Sequence, residues 1–286
     1  MSAARCGLQQ GWSYGEAMRA SGVGVHRLVV RDGTGRPLAC AQIAERRLGG
    51  LWRAGFLLRG PVWLCSPSPD FEPVILAGVR RQLRGGPLLW APECATTVAR
   101  HPVMTGYSTS WLDLDPGPDP LLAGCAADWR NGLRRAERRA LTVSVDGGPD
   151  EVGWLLDRNE AYRRQVGYRG PSRSFLGRLA AAAAAVGDLL VLVAYLAAEP
   201  VAGILIVRHG SAATYEVGYV SRSGRDSCAT HLLLWRAVDL LARAGVRWLD
   251  LGGLATDRAP GIARFKLGLG GEVATLPGTY LMRGPL

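Results

Sequence analysis

The sequence predicts an α/β (α+β) fold of two lobes, each a mixed, mostly antiparallel sheet flanked by helices. The chain has 286 residues, 48% of them hydrophobic and 20% charged, which suits a folded protein of one large domain or two smaller ones. Each half mixes helices with several consecutive strands, an order that fits two such lobes better than a doubly wound sheet. The stretch DPGPDPLL resembles a linker. We therefore expect lobes at residues 1–117 and 118–286.

The first half begins with a predicted helix, LQQGWSYGEAMRAS, and a turn, GTGR, joins the two strand-like runs that follow it. The spacing of apolar residues in FEPVILAGVRRQLRG predicts a second helix. The predicted strands of this half are HRLVVRD, PLACAQIAE, GPLLWAP and STSWLDL.

The second half opens with a predicted basic helix, DWRNGLRRAERR. Three further helices are predicted: one from PDEVGWLLDRNEAYRRQ, one from Ser174 to about Val186, and a long amphipathic one, CATHLLLWRAVDLLARAG, that ends at a glycine. The predicted strands are LTVSV, LLVLVAYLA, PVAGILIVRH, AATYEVGYV, VRWLDLGG and the tail GEVATLPGTYLM.

The formal net charge is +10 and the pI is about 9.8, which favours an anionic partner such as nucleic acid, a nucleotide-linked substrate or a membrane surface. A base composition that encodes Arg in place of Lys explains the charge equally well. The six cysteines contain no Cys-x-x-Cys pair and the four histidines show no metal-ligand spacing, so we expect free thiols and no metal.

The N-terminus lacks the apolar core of a signal peptide, and the longest apolar region is interrupted at Asp188 and at the turn around Glu199. We therefore expect a cytoplasmic protein, with transient contact at a membrane surface left open.

Lys266 is the single lysine of the chain, because 33 of the 34 Lys and Arg residues are arginines. A compact ammonium in a desolvated cleft can approach an oxyanion to about 3 Å, whereas the planar guanidinium suits bidentate anions. The alternative is a surface lysine that escaped the arginine bias.

The segment LLLWRAVDLLARAGVRWLDLGGLATDRAPGIARFKLGLGGEV resembles the C-terminal signature of the Fem family of peptidoglycan-bridge aminoacyltransferases. That signature has Trp in a helix, then Asp-x-Gly-Gly, then Arg-Phe-Lys-x-x-Phe-Gly-Gly. Leu269 stands at the second aromatic position. The matching residues here are Trp235; Asp250, Gly252 and Gly253; and Arg264, Phe265, Lys266, Gly270 and Gly271.

The resemblance implies two GNAT-like acyltransferase lobes and transfer of an amino acid from aminoacyl-tRNA to an amine of a peptidoglycan precursor or a related small peptide. It places the functional lysine at Lys266 and requires no cofactor besides the donor. Asp250 would orient Lys266 or the acceptor amine, or it caps a backbone amide. The implied substrate-binding residues are Phe265, Arg264, Gly252, Gly253, Trp235, Tyr219 and Arg173.

The basic helix of the second half carries a stripe of arginines. Such a stripe binds phosphates of tRNA or of a diphosphate-linked acceptor, or it is a solvated helix face. A second group, in YRGPSRSFLGR, stands where the family has an acceptor-binding arginine: Arg169, Arg173 and Arg178. The candidate phosphate-binding residues of the stripe are Arg130, Arg134, Arg135 and Arg138.

Two departures from the family affect the first lobe. The opening helix has no phosphate-binding lysine in GWSYGEAM, and Ala91 stands where relatives have a carboxylate before proline. The acceptor site of this lobe is therefore expected to be altered.

Two other functions stay open. One is an N-acyltransferase that uses acyl-CoA or an acyl-carrier protein, although SRSGRDSCATHLLLW lacks the glycine spacing of the usual pyrophosphate loop. The other is a non-catalytic RNA- or lipid-binding relative, because fold does not fix function.

Overall fold

The computed structural model describes residues 5–48, 52–65, 71–83, 86–96, 98–145, 147–167, 170–254, 256 and 259–283. The chain divides into two compact units: Met1–Ser108 with Thr275–Leu286, and Thr109–Ala274. In the described ranges, no helix has the length and apolar character needed to cross a membrane.

The helices begin after a 3₁₀ turn at Leu8–Gln10. They are α1 (Trp12–Ala20), α2 (Phe71–Gln82), α3 (Pro118–Gly124), α4 (Ala127–Glu137), α5 (Pro149–Val166), α6 (Arg173–Ala184), α7 (Arg222–Asp226), α8 (Ala229–Arg243) and α9 (Pro260–Leu267).

The strands alternate with these helices along the chain. They are β1 (Gly24–Arg31), β2 (Pro37–Leu48), β3 (Trp52–Leu58), β4 (Val62–Trp63), β5 (Leu88–Ala91), β6 (Ser108–Asp113), β7 (Leu141–Val145), β8 (Leu189–Leu196), β9 (Glu199–His209), β10 (Ala212–Val220), β11 (Trp248–Gly253), β12 (Glu272–Thr275) and β13 (Tyr280–Met282).

The first unit is built on a mixed sheet with the strand order β1-β2-β3-β5-β13, and β4 pairs with β2. β3 and β5 are parallel, whereas β1 with β2, β2 with β3, and β5 with β13 are antiparallel. Ile75 and Val79 of α2 are buried in one hydrophobic cluster with Leu57, Trp90 and Tyr280. Because β13 pairs with β5, the C-terminal strand completes this unit.

The second unit is built on a sheet with the order β12-β6-β11-β10-β9-β8-β7. One face packs against α4 and α8, in a cluster that includes Leu133, Leu233, Ile204 and Ile206. The other face meets α5, since a Cβ on Gly203 would contact Trp154 and Leu155. β8 and the middle of β9, from Val201 to Val207, are accordingly apolar, as expected for strands buried on both faces.

β10 and β11 separate part-way along their length, and this separation positions the candidate site. They pair in parallel only from Ala212 with Trp248 to Thr214 with Asp250. The register of β10 against β9 shifts between Tyr215 and Val217, which is a β-bulge that contains Glu216. A bulge bends its strand and redirects side chains, so the C-terminal half of β10 leaves β11 here.

The predicted fold class is confirmed, with differences in detail. The expected linker contains α3, which begins at Pro118, because proline is tolerated in the first turn of a helix. β3 was not predicted, since Arg53 and Gly55 interrupt its apolar pattern. The compact units divide after Ser108 rather than after residue 117. The C-terminal strand β13 belongs to the first unit, not to the second.

Candidate active site

Asp250 lies at the point where β11 leaves β10, and it is completely buried. Its Oδ1 accepts a hydrogen bond from the Thr109 hydroxyl of β6 and another, of 2.8 Å, from the backbone N–H of Gly252. A buried carboxylate requires such partners, because an unpaired one is expensive to desolvate. Of the two roles expected for Asp250, capping a backbone amide is therefore one that it performs.

Gly252, two residues after Asp250, turns the chain near the end of β11. Its φ is +74°, a conformation that favours glycine, and a Cβ there would lie 3.3 Å from the Tyr215 carbonyl oxygen and 3.5 Å from Lys266 Nζ. Both of these properties explain why position 252 is a glycine. The next carbonyl, that of Gly253, accepts a 3.0 Å hydrogen bond from Lys266 Nζ.

Lys266 projects from α9 and is 9% exposed, so it is not a surface lysine. Burial lowers the pKa of its ammonium from 10.5 to about 8, and attraction to Asp250 and Glu216 opposes that shift. Its Nζ lies 5.7 Å from the centroid of the Tyr215 ring. The ammonium is thus a desolvated N–H donor that can lose its proton close to neutral pH.

Thr109, Tyr215 and Glu216 belong to this site but were not predicted from the sequence. Thr109 is 141 positions from Asp250, and only the pairing of β6 with β11 brings the two together. Glu216 is the one charged residue of β10, a mostly apolar strand, and this is the signal that could have identified it. Tyr215 fits because Gly218 has no side chain: a Cβ there would lie 1.9 Å from the Tyr215 hydroxyl.

Phe265 and Trp235 lie together in an aromatic cluster between α4, α8 and α9. Phe265 stacks on Trp129 at 6.2 Å and meets the ring of His231 edge-on at 4.8 Å, while Trp235 packs edge-on against Trp129 at 6.1 Å. A Cβ on Gly132 would lie 2.6 Å from His231 Nε2, so this glycine lets α4 approach α8. The cluster holds α9, and therefore Lys266, against the sheet.

Three predicted substrate-binding residues make contacts of their own. Tyr219 packs edge-on against Trp154 of α5, with ring centroids 5.7 Å apart. Arg264 and Arg173 form surface ion pairs, with Asp128 at 2.8 Å and with Asp157 at 2.7 Å.

Arg173 was predicted together with Arg169 and Arg178, where the family has an acceptor-binding arginine. Arg169 lies outside the described residues. Arg178 lies on α6, beyond its first turn.

The arginines of α4 and of the two positions that follow it do not all face the same surroundings. Arg130 donates hydrogen bonds to the carbonyl groups of Ala123 and Cys125, which fixes the start of its helix. In the part of the chain that the structure describes, Arg135, Arg138 and Arg139 take part in no ion pair. An open depression of about 470 Å³ lies at these arginines, and we call it the arginine basin. It is lined by Asn131, Arg134, Arg135, Arg138 and Arg139.

The connection from β10 to α8 is occupied by the short helix α7. Gly224 is packed so tightly that a Cβ would lie 2.4 Å from the Val201 carbonyl oxygen, and its N–H donates to Ser221 Oγ at 3.1 Å. The amides of Ser227 and Cys228 donate to carbonyl groups of the same connection, each at 3.0 Å. These three N–H groups are therefore already paired within the connection.

A model of the acetyltransferase (GNAT) domain family matches residues 124–267, half of the chain. The region includes Lys266, Asp250 and α4. No curated protein matches the sequence.

Solved structures resemble the chain over nearly its whole length. FemX is 14% identical with a TM-score of 0.81, covering 98% of this chain and 93% of its own. The C-terminal domain of a protein provisionally described as a lysylphosphatidylglycerol synthetase, from Agrobacterium fabrum, is 15% identical with a TM-score of 0.59, covering 97% and 89%.

A tandem GNAT protein from the clavulanic acid biosynthesis pathway is 18% identical with a TM-score of 0.52, covering 92% of this chain and 84% of its own. Together with the domain match, these likenesses support an acyltransferase. The chain belongs to the GNAT acetyltransferase-domain family and has the two-lobed fold of the Fem-type enzymes.

Proposed function

We propose that the protein transfers an amino acid from aminoacyl-tRNA to an amine. The observation that carries the proposal is the single lysine of the chain, buried beside the Asp250–Gly253 turn with its pKa lowered to about 8. A buried ammonium stabilises negative charge that develops on a carbonyl oxygen, and such stabilisation is commonly the largest contribution to acyl transfer.

In this reaction the neutral amine nitrogen attacks the carbonyl carbon of the aminoacyl ester. A C–N bond forms, the carbonyl oxygen becomes an oxyanion, and the bond from the carbonyl carbon to the ribose oxygen then breaks. The amine loses one proton and the ribose oxygen gains one, so the reaction is balanced without a redox partner. Lys266, protonated below pH 8, donates its N–H to the oxyanion.

Asp250 acts through the turn that it holds. Its carboxylate accepts a hydrogen bond from the Gly252 amide, which fixes the backbone of the turn. The next residue of that turn, Gly253, accepts a hydrogen bond from Lys266 Nζ through its carbonyl group. The charge of Asp250 also raises the pKa of Lys266, which keeps the ammonium protonated over a wider pH range. Asp250 is thus proposed to position Lys266 rather than to contact substrate.

The arginine basin supports a tRNA donor. It gathers four guanidinium groups into one depression, and multiple cations in a row are what the phosphate backbone of RNA requires. The acceptor is an amine of a peptidoglycan precursor or of a related small peptide or natural product. We propose that the enzyme works in the cytoplasm, where its donor would be found, with transient contact at the membrane if the acceptor is lipid-linked.

An acyl-CoA donor is the alternative, and the sequence of the connection from β10 to α8 lacks the glycine spacing of the usual pyrophosphate loop. The amides of Gly224, Ser227 and Cys228, ahead of α8, are paired within the connection, whereas a pyrophosphate would use the first amides of α8 itself, which begins at Ala229. The test below therefore compares the two donors directly. An acyl-carrier-protein donor and a non-catalytic role are outcomes of the same test.

Donor consumption tests the proposal. Purified protein is given a labelled aminoacyl-tRNA pool or labelled acetyl-CoA, each with an extract of small amines and lipid-linked precursors. We expect amide product from aminoacyl-tRNA and none from acetyl-CoA. Product from acetyl-CoA alone would contradict the proposal, and so would no product from either donor with acceptors of both kinds present.

A further inference from the structure

The hydroxyl group of Tyr215 makes no hydrogen bond within the part of the chain that the structure describes. Burial raises its pKa from 10.0 to about 12, and neither a hydrogen bond nor a charge contributes to that shift. Tyr195 of β8, in contrast, donates its hydroxyl to the carboxylate of Glu151. A buried tyrosine hydroxyl usually has such a partner, because losing water without one is costly. The hydroxyl of Tyr215 therefore calls for a ligand or another explanation.

This hydroxyl lies on the part of β10 that has separated from β11. The two strands pair only as far as Thr214 with Asp250, so Tyr215 is the first residue of β10 beyond the pairing. A Cβ on Gly218 would lie 1.9 Å from the Tyr215 hydroxyl oxygen, which places the hydroxyl directly over that glycine, further along the same strand. Any side chain at position 218 would displace it.

The ring of Tyr215 is held by packing and not by its hydroxyl. It packs against the hydrophobic cluster that joins the sheet to α4 and α8. The Nζ atom of Lys266 lies 5.7 Å from the centroid of the ring. Because packing orients the ring, the hydroxyl is not needed for that purpose, and it stands available to a substrate beside the ammonium.

Tyr215 stays a hydrogen-bond donor at a pH where Lys266 does not. The pKa of Lys266 is about 8 and that of Tyr215 about 12, so between these values only the phenol keeps its proton. Neighbouring donors suit an oxygen on which negative charge develops. In the proposed reaction the aminoacyl ester has two such oxygens: the carbonyl oxygen and the ribose oxygen that leaves.

We infer that the Tyr215 hydroxyl donates a hydrogen bond to an oxygen atom of the aminoacyl ester, next to the ammonium of Lys266. The hydrogen bond leaves the proton on the tyrosine, so the balance of the reaction is unchanged. The inference rests on the proposed function and adds to it a second group that contacts the donor substrate.

Thermal melting without ligand separates a binding role of the hydroxyl from a structural one. Tyr215→Phe should melt at or above the wild-type temperature, because it removes a buried group that has no partner. Tyr195→Phe removes the donor to Glu151 and should melt at a lower temperature. A clearly lower melting temperature for Tyr215→Phe would show that the hydroxyl is bonded within the protein and would overturn the inference.

Binding of a stable donor analogue tests the inference without turnover. The probe is the alanyl 3′-amide of adenosine, which keeps the carbonyl oxygen and has nitrogen in place of the ribose oxygen that leaves. Tyr162→Phe removes an exposed hydroxyl from α5 and is the matched control. If the hydrogen bond goes to the carbonyl oxygen, Tyr215→Phe should bind the probe about three- to tenfold more weakly than wild type, and Tyr162→Phe equally well.

Single-turnover transfer from aminoacyl-tRNA distinguishes the two oxygens. A slower rate, by about tenfold or more, in a Tyr215→Phe variant that binds the probe normally assigns the ribose oxygen. If wild type binds the probe but transfers nothing, the proposed function fails, and the binding of the probe alone decides the role of Tyr215. No binding of the probe by wild type, or equal binding and equal rates in Tyr215→Phe and Tyr162→Phe, would overturn the inference.

Discussion

Lys266 is a cation in a place where a cation is costly. Its ammonium is 9% exposed, and burial outweighs attraction to Asp250 and Glu216, so its pKa falls to about 8. Among the residues that the structure describes, the Gly253 carbonyl is the only hydrogen-bond acceptor of the ammonium, which leaves its other N–H groups available for a substrate oxygen. A residue placed for stability alone would not be a charged one at this position.

Stability should therefore depend on pH through Lys266. Between about pH 8 and pH 10.5 the unfolded lysine binds a proton that the folded one has lost, so stability rises with pH across that window. The shift corresponds to about 3 kcal/mol. Lys266→Met should thus be more stable than wild type at pH 7, and the difference in unfolding free energy should shrink as the pH rises to 10.5.

Urea unfolding monitored by circular dichroism at several pH values measures this difference. Leu267→Met introduces the same residue at the next position, which is half-exposed, and serves as the control. A difference between Lys266→Met and wild type that stays constant from pH 7 to pH 10.5 would show that the lysine is not desolvated.

At the scale of elements, the turn at the end of β11 brings the strand end, α9 and β10 together. Gly252 has φ of +74°, and so does Gly245 after α8, where nothing lies within 4 Å of an added Cβ. The two glycines share backbone conformation and differ in surroundings. They form a matched pair for separating strain from crowding of the site.

Gly252→Ala and Gly245→Ala should each lower stability by about 1–2 kcal/mol, because a left-handed conformation disfavours a Cβ. Only Gly252→Ala should also reduce the transfer rate, since its methyl group would lie 3.5 Å from Lys266 Nζ and press on the Tyr215 carbonyl group. Chemical denaturation and initial rates measure both effects. Equal transfer rates in the two variants would show that the Gly252 turn is not part of the active site.

Much of the second unit could be predicted, because its helices and strands have regular apolar patterns with clear ends. The long helix α8 stops just before Gly245, and the Asp250, Gly252 and Lys266 motif lies in the two elements that follow it. The short helix α9 around Lys266 was not predicted, because its glycine-rich surroundings hide its helical pattern.

The rest of the site depends on tertiary pairing that a local pattern does not encode. Thr109 reaches Asp250 from another part of the chain, and the bulge at Glu216 appears only when β10 is paired with β9. Phe265, expected at the substrate, packs against Trp129 and His231, and its contact with substrate stays a prediction. An aromatic side chain in a motif does not reveal which way it faces.

For the whole molecule, the positive charge is partly neutralised and partly concentrated. Many arginines have carboxylate partners, as Arg243 does with Asp239 and Arg164 with Glu160. Arg135, Arg138 and Arg139 have no such partner among the described residues, and they share one depression. The net charge of +10 alone does not locate a binding surface, and we propose that this concentration of arginines is one.

Binding of tRNA should weaken steeply with salt, and the arginine basin should supply part of that dependence. The double variant Arg135→Gln and Arg138→Gln should reduce the slope of log K against log salt concentration by about 1–2. Arg164→Gln with Arg243→Gln removes the same charge from arginines that have carboxylate partners and should leave the slope nearly unchanged. Filter binding from 50 to about 300 mM salt measures both slopes. If the two double variants have equal slopes, the arginine basin does not bind tRNA.

The most direct test of the central claim is single-turnover transfer from labelled aminoacyl-tRNA by wild type, Lys266→Met and the control Leu267→Met. With the oxyanion stabiliser removed, Lys266→Met should be slower by about a hundredfold or more, while Leu267→Met keeps the wild-type rate. Binding of tRNA, measured in parallel, should be similar in all three. A Lys266→Met rate within a few-fold of wild type would contradict a catalytic role for the lysine, and with it the proposed mechanism.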